Sequence, residues 1–249
     1  MTHPFARVPL VDFLFALALM TVWVLLMLPR LGWVYGLWAF IGALLLVGLL
    51  WWQWPNPWGS AARIQHWGKR AVLRLNAANQ LTLVRALMVI MVLAAIAVPE
   101  LSETEVWLLL SLSVLALMLD GVDGWLARRQ HLQSAYGARF DMEVDAAFIM
   151  GLCLLLLVLE RAGLWVLLIG ALRYLFWGAG FIGPWLQRPL PPSQRRRWIC
   201  GWQVVSLLVA LPGVLSSGLT HWVLGSALVL LVYSFARDTL WLFQEREHV

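Results

Sequence analysis

Charge is scarce in this chain. Asp, Glu, Lys and Arg make up 12% of its 249 residues, 62% are hydrophobic, and mean hydropathy is +0.80. A soluble domain of this size needs far more polar surface, so that class is excluded. Cysteine is nearly absent: Cys153 and Cys200 both lie in apolar context, which excludes a disulfide framework and a thiolate metal cage. His3, His66, His131, His221 and His248 are scattered, which argues against a histidine metal site. What the chain has instead is a series of apolar runs of about 20 residues, each enough to cross a hydrocarbon layer about 30 Å thick. The first, residues 10–28, is too long for a secretory-signal core. It has one nearby basic residue, Arg7, and no convincing cleavage signal, so it reads as a retained helix. The expected class is an all-α, polytopic integral membrane protein.

Eight spans fit the hydropathy: residues 10–29, 33–52, 79–98, 105–128, 138–159, 163–184, 198–215 and 219–243. They divide the chain into a two-helix transmembrane extension (1–55), a connecting segment (56–75) and a six-helix domain (76–249). In the connecting segment Ile64, Trp67, Ala71 and Leu75 share one helical face, while Arg63, His66, Arg70 and Arg74 share the other, behind a plausible N-cap at Ser60. That pattern predicts an amphipathic helix lying on the headgroups. Eight spans put both termini on one side. Of the 18 basic residues 15 fall at that face, with Arg30 and Arg161 opposite and Arg173 inside a span. The positive-inside rule makes it cytoplasmic, as for a bacterial inner-membrane protein. The net charge of +5 and pI near 9.9 are explained by this loop bias and by attraction to anionic membrane lipid, so no nucleic-acid partner is expected. Among the 17 tryptophans, Trp51, Trp52, Trp54 and Trp58 sit at a span boundary as interface anchors.

Against this background residues 118–148, MLDGVDGWLARRQHLQSAYGARFDMEVDAAF, stand out. Asp120, Asp123, Gly124, Ala127 and Arg128 form one stripe of a helix, and Gly137, Asp141 and Asp145 form a stripe of the next. A helical hairpin turns both toward a common space at the cytoplasmic side. Glu143 lies about 200° round from Asp141 and does not join them. Four facing carboxylates near lipid repel and are costly to bury. Protonation, arginine or divalent cations can relieve them; Arg128, Arg129 and Arg139 are few and close to water. Hard cations with oxygen ligands fit better, and two Mg²⁺ or Mn²⁺ ions about 4 Å apart can clamp a transferring phosphoryl group. Gly124 and Ala127 leave a groove for close approach to the backbone, and Arg128 at its mouth can meet a phosphate bidentately.

The spacing Asp120-x-x-Asp123-Gly124-x-x-Ala127-Arg128, eight residues, Gly137-x-x-x-Asp141-x-x-x-Asp145 resembles the signature of the CDP-alcohol phosphotransferase family, with every fixed position matched. NAANQLTLVR (76–85) resembles the same family's Pro-Asn-x-Leu-Thr-x-x-Arg segment, with Ala78 in place of proline and Asn79, Leu81, Thr82 and Arg85 kept. The resemblance covers about two thirds of the chain. It implies a six-helix membrane bundle over residues 79–243 and leaves the first two spans unassigned.

It further implies transfer of a substituted phosphate from a CDP-alcohol, such as CDP-diacylglycerol, to an acceptor hydroxyl with release of CMP. Asp120, Asp123 and Asp141 would hold one ion, and Asp120, Asp141 and Asp145 the other. Asp145, the deepest, is the candidate base for the acceptor's proton. Asn79, Thr82, Gly124, Ala127, Arg128 and Gly137 would hold the nucleotide. Arg85, Arg139, Arg173 and Arg197 are candidates for contacts to phosphate or acceptor. Arg173, ten residues before Gly183, lies about 15 Å deep, and Asp145, eight past Gly137, about 12 Å. The loop RPLPPSQRRRW (188–198) leads toward Gln203. These basic residues favour a phosphorylated alcohol acceptor. A homodimer is a family expectation. Two rival readings are a cation transporter, which would spread its carboxylates over several helices at mid-membrane, and an inactive scaffold of the same fold.

Overall fold

The computed structural model describes residues 10–53, 77–129, 135–188, 190, 191 and 193–246. The amphipathic helix expected at 56–75 lies outside them. Among the described residues every regular element is helical: α1 (Leu10–Gln53), α2 (Ala77–Ala94), α3 (Glu103–Arg129), α4 (Ala135–Val158), α5 (Leu167–Ile182), α6 (Gln194–Ala210) and α7 (Ser217–Arg246), with 3₁₀ turns at Ala95–Ala97, Leu164–Val166 and Pro184–Gln187. They fall into two compact units, Met1–Asp145 and Ala146–Val249, whose boundary lies within α4.

In the first unit α1 is not one rod. As a straight helix its 44 residues would be about 66 Å long, twice a hydrocarbon layer. Gly32, at φ 76° and ψ 173°, breaks it in a region that is essentially glycine-only. Trp23 Nε1 donates to Tyr35 Oη at 2.9 Å, although residues twelve apart in a straight helix are about 18 Å apart. The chain therefore doubles back, and Pro29 just before the turn favours the break. Each arm, of about 21 residues, matches a bilayer. On the second arm Leu31, Tyr35, Ala39 and Ala43 are buried at four-residue spacing. This stripe is the face expected where α1 packs on α2.

Nearly every side of α2 is covered, with Leu83, Ala86, Leu87, Val89 and Val92 all buried, as befits a helix that packs on both α1 and α3. α3 starts with a capping box. The Ser102 N–H donates to Glu105 Oε2 at 2.7 Å, and the Glu105 N–H donates to Ser102 Oγ at 3.4 Å. Its inner stripe is Val106, Leu109, Ser113 and Ala116, while Trp107, Leu115, Met118 and Val122 are exposed apolar residues suited to lipid. Eighteen residues separate the cap from Asp120, which puts the carboxylate about 27 Å along the helix, at the far end of a membrane crossing.

In the second unit α4 ends in a Schellman motif. Glu160 takes φ 55°, its N–H donates to Leu157 O at 3.0 Å, and the Arg161 N–H donates to Leu156 O at 2.9 Å. α5 crosses α4 closely at Gly170, where a Cβ would lie 3.0 Å from the Met150 backbone. Gln203 on α6 is buried and donates to Ile169 O on α5 at 3.2 Å, and Trp202 Nε1 donates to Ser226 Oγ on α7 at 3.0 Å. Gln203 thus serves helix packing.

Four stretches are long and apolar enough to cross a membrane: Leu17–Leu46, Glu103–Val122, Leu164–Phe181 and Ser217–Gln244. Eight were expected. The difference has three sources. The first two spans join across Gly32, the apolar part of α2 (Leu81–Ala97) is short, and α4 and α6 each begin with charged residues.

Candidate functional site

Asp120 lies near the C-terminal end of α3, and Asp141 and Asp145 stand one turn apart on α4. The helical spacing turns the α4 pair to one side. The structure brings all three together: one oxygen from each lies within 4.8 Å of the others. Glu143 stands outside this trio and is exposed, as its angular offset predicts.

Into the middle reaches Arg85 from α2. Its Nη1 donates to Asp120 Oδ1 and its Nη2 to Asp141 Oδ1, and Nη2 is 3.3 Å from Asp145 Oδ1. The arginine side chain is 3% exposed, whereas those of Asp120, Asp141 and Asp145 are 35, 36 and 46% exposed. One guanidinium against three carboxylates leaves two negative charges in excess, on the side that faces out. Thr82, one turn before Arg85 on α2, is also buried. Sequence reasoning placed Arg85 among the substrate contacts and looked to Arg128, Arg129 and Arg139 for counter-charge. The structure sets Arg85 against the carboxylates.

The donor set fits a hard divalent cation. Carboxylate oxygens are the preferred ligands of Mg²⁺ at about 2.0–2.1 Å, so opposite donors on one ion are about 4.2 Å apart. Oxygens that already converge to within 4.8 Å need only small side-chain shifts to reach that separation.

Asp123, Gly124, Ala127 and Arg128 continue α3 beyond Asp120, Gly137 and Arg139 lie in the first turns of α4, and Asn79 lies in the first turn of α2. Their side chains lie outside the described set. Arg173 is half-buried on α5, and Arg197 is exposed in the first turn of α6, both in the second unit.

That unit holds a second charged cluster. Asp238 on α7 is buried and accepts from Arg195 Nη2 at 2.5 Å, with Arg196 Nη1 3.4 Å from its other oxygen. Arg195 also stacks over the Tyr233 ring at 5.7 Å, and Arg237 Nη1 donates to Tyr233 Oη at 3.3 Å. Leu190, Pro191, Ser193, Trp241 and these charged groups line a cleft of about 290 Å³. The sequence reading missed Asp238. The signal was available, because an ionisable residue inside an apolar span marks a paired or functional group by default. Within the RRR run it singled out Arg197, whereas Arg195 and Arg196 carry the ion pairs.

Comparison with curated proteins returns no match, and neither does comparison with solved structures. The profile of the CDP-alcohol phosphatidyltransferase family matches residues 75–233, which takes in α2 with Arg85, the aspartates of α3 and α4, and the Arg195–Arg196 segment. With the match covering well over half of its length, the chain belongs to the CDP-alcohol phosphatidyltransferase family.

Proposed function

We propose that the protein moves a phosphatidyl group from CDP-diacylglycerol to the hydroxyl of an alcohol acceptor and releases CMP. Family membership supports a CDP-alcohol phosphatidyltransferase in general, embedded in a membrane by its apolar helices. The observation that carries the finer reading is the convergence of Asp120, Asp141 and Asp145. In this reading Asp123 joins them, and the four carboxylates hold two Mg²⁺ or Mn²⁺ ions. Bound ions supply charge neutralisation for a diphosphate and for the departing CMP.

The chain's own residues do the rest. Gly124 and Ala127 keep the α3 face low enough for the nucleotide to lie against the backbone, with Asn79, Thr82 and Gly137 around it and Arg128 on its phosphate. Asp145 accepts the acceptor's hydroxyl proton. The freed oxygen forms a bond to the lipid-bearing phosphorus, the bond from that phosphorus to the bridging oxygen breaks, and CMP leaves with that oxygen. Arg139, Arg173 and Arg197 attract a phosphorylated acceptor. In this reading residues 1–55 are a membrane extension, 56–75 lie on anionic headgroups, 76–249 form the catalytic domain, and two copies associate. The site and both termini face the cytoplasm of a bacterial inner membrane.

The test is a screen of alcohols, phosphorylated and not, with labelled CDP-diacylglycerol and detergent-purified protein. CMP release and a new lipid, identified by mass, are expected only when Mg²⁺ or Mn²⁺ is present. Full turnover in excess chelator would remove the metal from the reading. With every acceptor silent but a soluble CDP-alcohol consumed, the donor assignment fails instead.

A further inference from the structure

We propose that Arg85 is a resident counter-cation that competes with divalent ions for the aspartate oxygens: it holds the trio in the metal-free protein and must yield contacts as ions load. This inference rests on the metal reading given above. Three observations carry it. Arg85 touches all three carboxylates of the trio, from a helix that contributes no carboxylate to it. It does so through Oδ1 of each aspartate, so an ion drawing on those same oxygens meets the guanidinium directly. And it is the buried member of the cluster, with 3% of its side chain exposed, beneath carboxylates that are more than a third open.

The chemistry of the guanidinium makes the competition unavoidable. Arginine does not lose its proton in proteins, so it cannot step aside by neutralising, as a lysine or histidine would. Its planar fork of donors suits several carboxylates at once, which makes it a good stand-in for a multivalent cation. A divalent ion arriving at the same oxygens meets a fixed positive charge within a few ångströms, and burial on the protein side limits how far water screens the two. Without Arg85 the trio would carry three uncompensated negative charges whenever no ion is bound, a state costly beside lipid. The arginine therefore stabilises the metal-free protein at the expense of metal affinity.

A plain buttress makes the opposite prediction, since removing a buttress disorders the ligands and weakens metal binding. Mn²⁺ binding to the full chain in detergent, without any donor, separates the two by calorimetry and by loss of the free-ion electron paramagnetic resonance signal. Arg85→Gln is expected to lower the dissociation constant of the first ion about tenfold, a gain kept modest by the exposure of the carboxylates. Arg85→Lys keeps the charge and should stay within about threefold of the parent. In chelator the Gln variant should unfold at a lower temperature than the parent, and saturating Mn²⁺ should close that gap. If the Gln variant survives only with Mn²⁺ present, back-titration with chelator yields the same constant. Parent protein that binds Mn²⁺ while the Gln variant binds equally or more weakly would overturn the Arg85 inference alone. Absence of binding by parent and variant alike would overturn the metal reading with it.

Discussion

The two charged clusters are near mirror images in composition. In the first unit one arginine sits among three aspartates, and in the second one aspartate sits between two arginines, with Arg237 close by. In each, the minority charge is the more buried: the Arg85 side chain is 3% exposed under carboxylates at 35–46%, and that of Asp238 is 12% exposed beside arginines at 22 and 28%. Burying the lone opposite charge satisfies it fully and leaves the excess of the other sign outermost. The first cluster therefore turns negative charge outward and the second positive charge. Small shifts in the balance of charges, in helices otherwise alike in hydropathy, give two ends of the chain opposite appetites for ions.

Substitutions on the two sides should break this symmetry in different ways. The largest effect belongs to Asp141→Asn, which removes one of the three converging carboxylates. Even groups that only orient a metal ligand cost ten- to hundredfold when lost, so kcat/KM should fall by at least about a hundredfold. Steady-state CMP release at saturating Mn²⁺ measures it, and a change under threefold would separate the trio from turnover. Next comes Asp238→Ala. Breaking a buried ion pair costs about 3–5 kcal/mol, and partial exposure of Arg195 and Arg196 brings the expected loss nearer 2 kcal/mol. Thermal unfolding should show a lower midpoint, restored in part by added phosphate but not by Mn²⁺. An unmoved midpoint would reduce this cluster to decoration. The smallest effect sets the scale. Tyr35→Phe removes a neutral hydrogen bond between the arms of α1 and should cost only about 0.6 kcal/mol, the usual size within membranes. CMP release should be untouched, and a strong loss would tie the hairpin to the chemistry.

The aspartates were legible in the sequence because helical spacing alone decides which face a residue takes. Asp120 together with Asp141 and Asp145 needed only the 3.6-residue period and two adjacent helices. The exclusion of Glu143 followed from the same geometry. Arg85 was visible as a charge at a suitable depth, but its partners depend on how α2 packs against α3 and α4, which no local period encodes. The break in α1 was foreshadowed by Pro29 and Gly32, which separate two apolar runs. The number of crossing-length helices was harder to read, because hydropathy summed over a window does not register where charged residues enter α4 and α6. The pairing of Arg195 and Arg196 with Asp238, rather than a role for Arg197, was settled by one side chain on a helix whose start lies some twenty residues downstream.

The doubling back at Gly32 has a consequence for how such a chain can be edited. A hairpin that goes in and comes out again contributes no net crossing, so everything downstream keeps its sidedness whether or not residues 10–53 are there. The arms of α1 behave as a removable clip: they can be cut away or exchanged without inverting a single later helix.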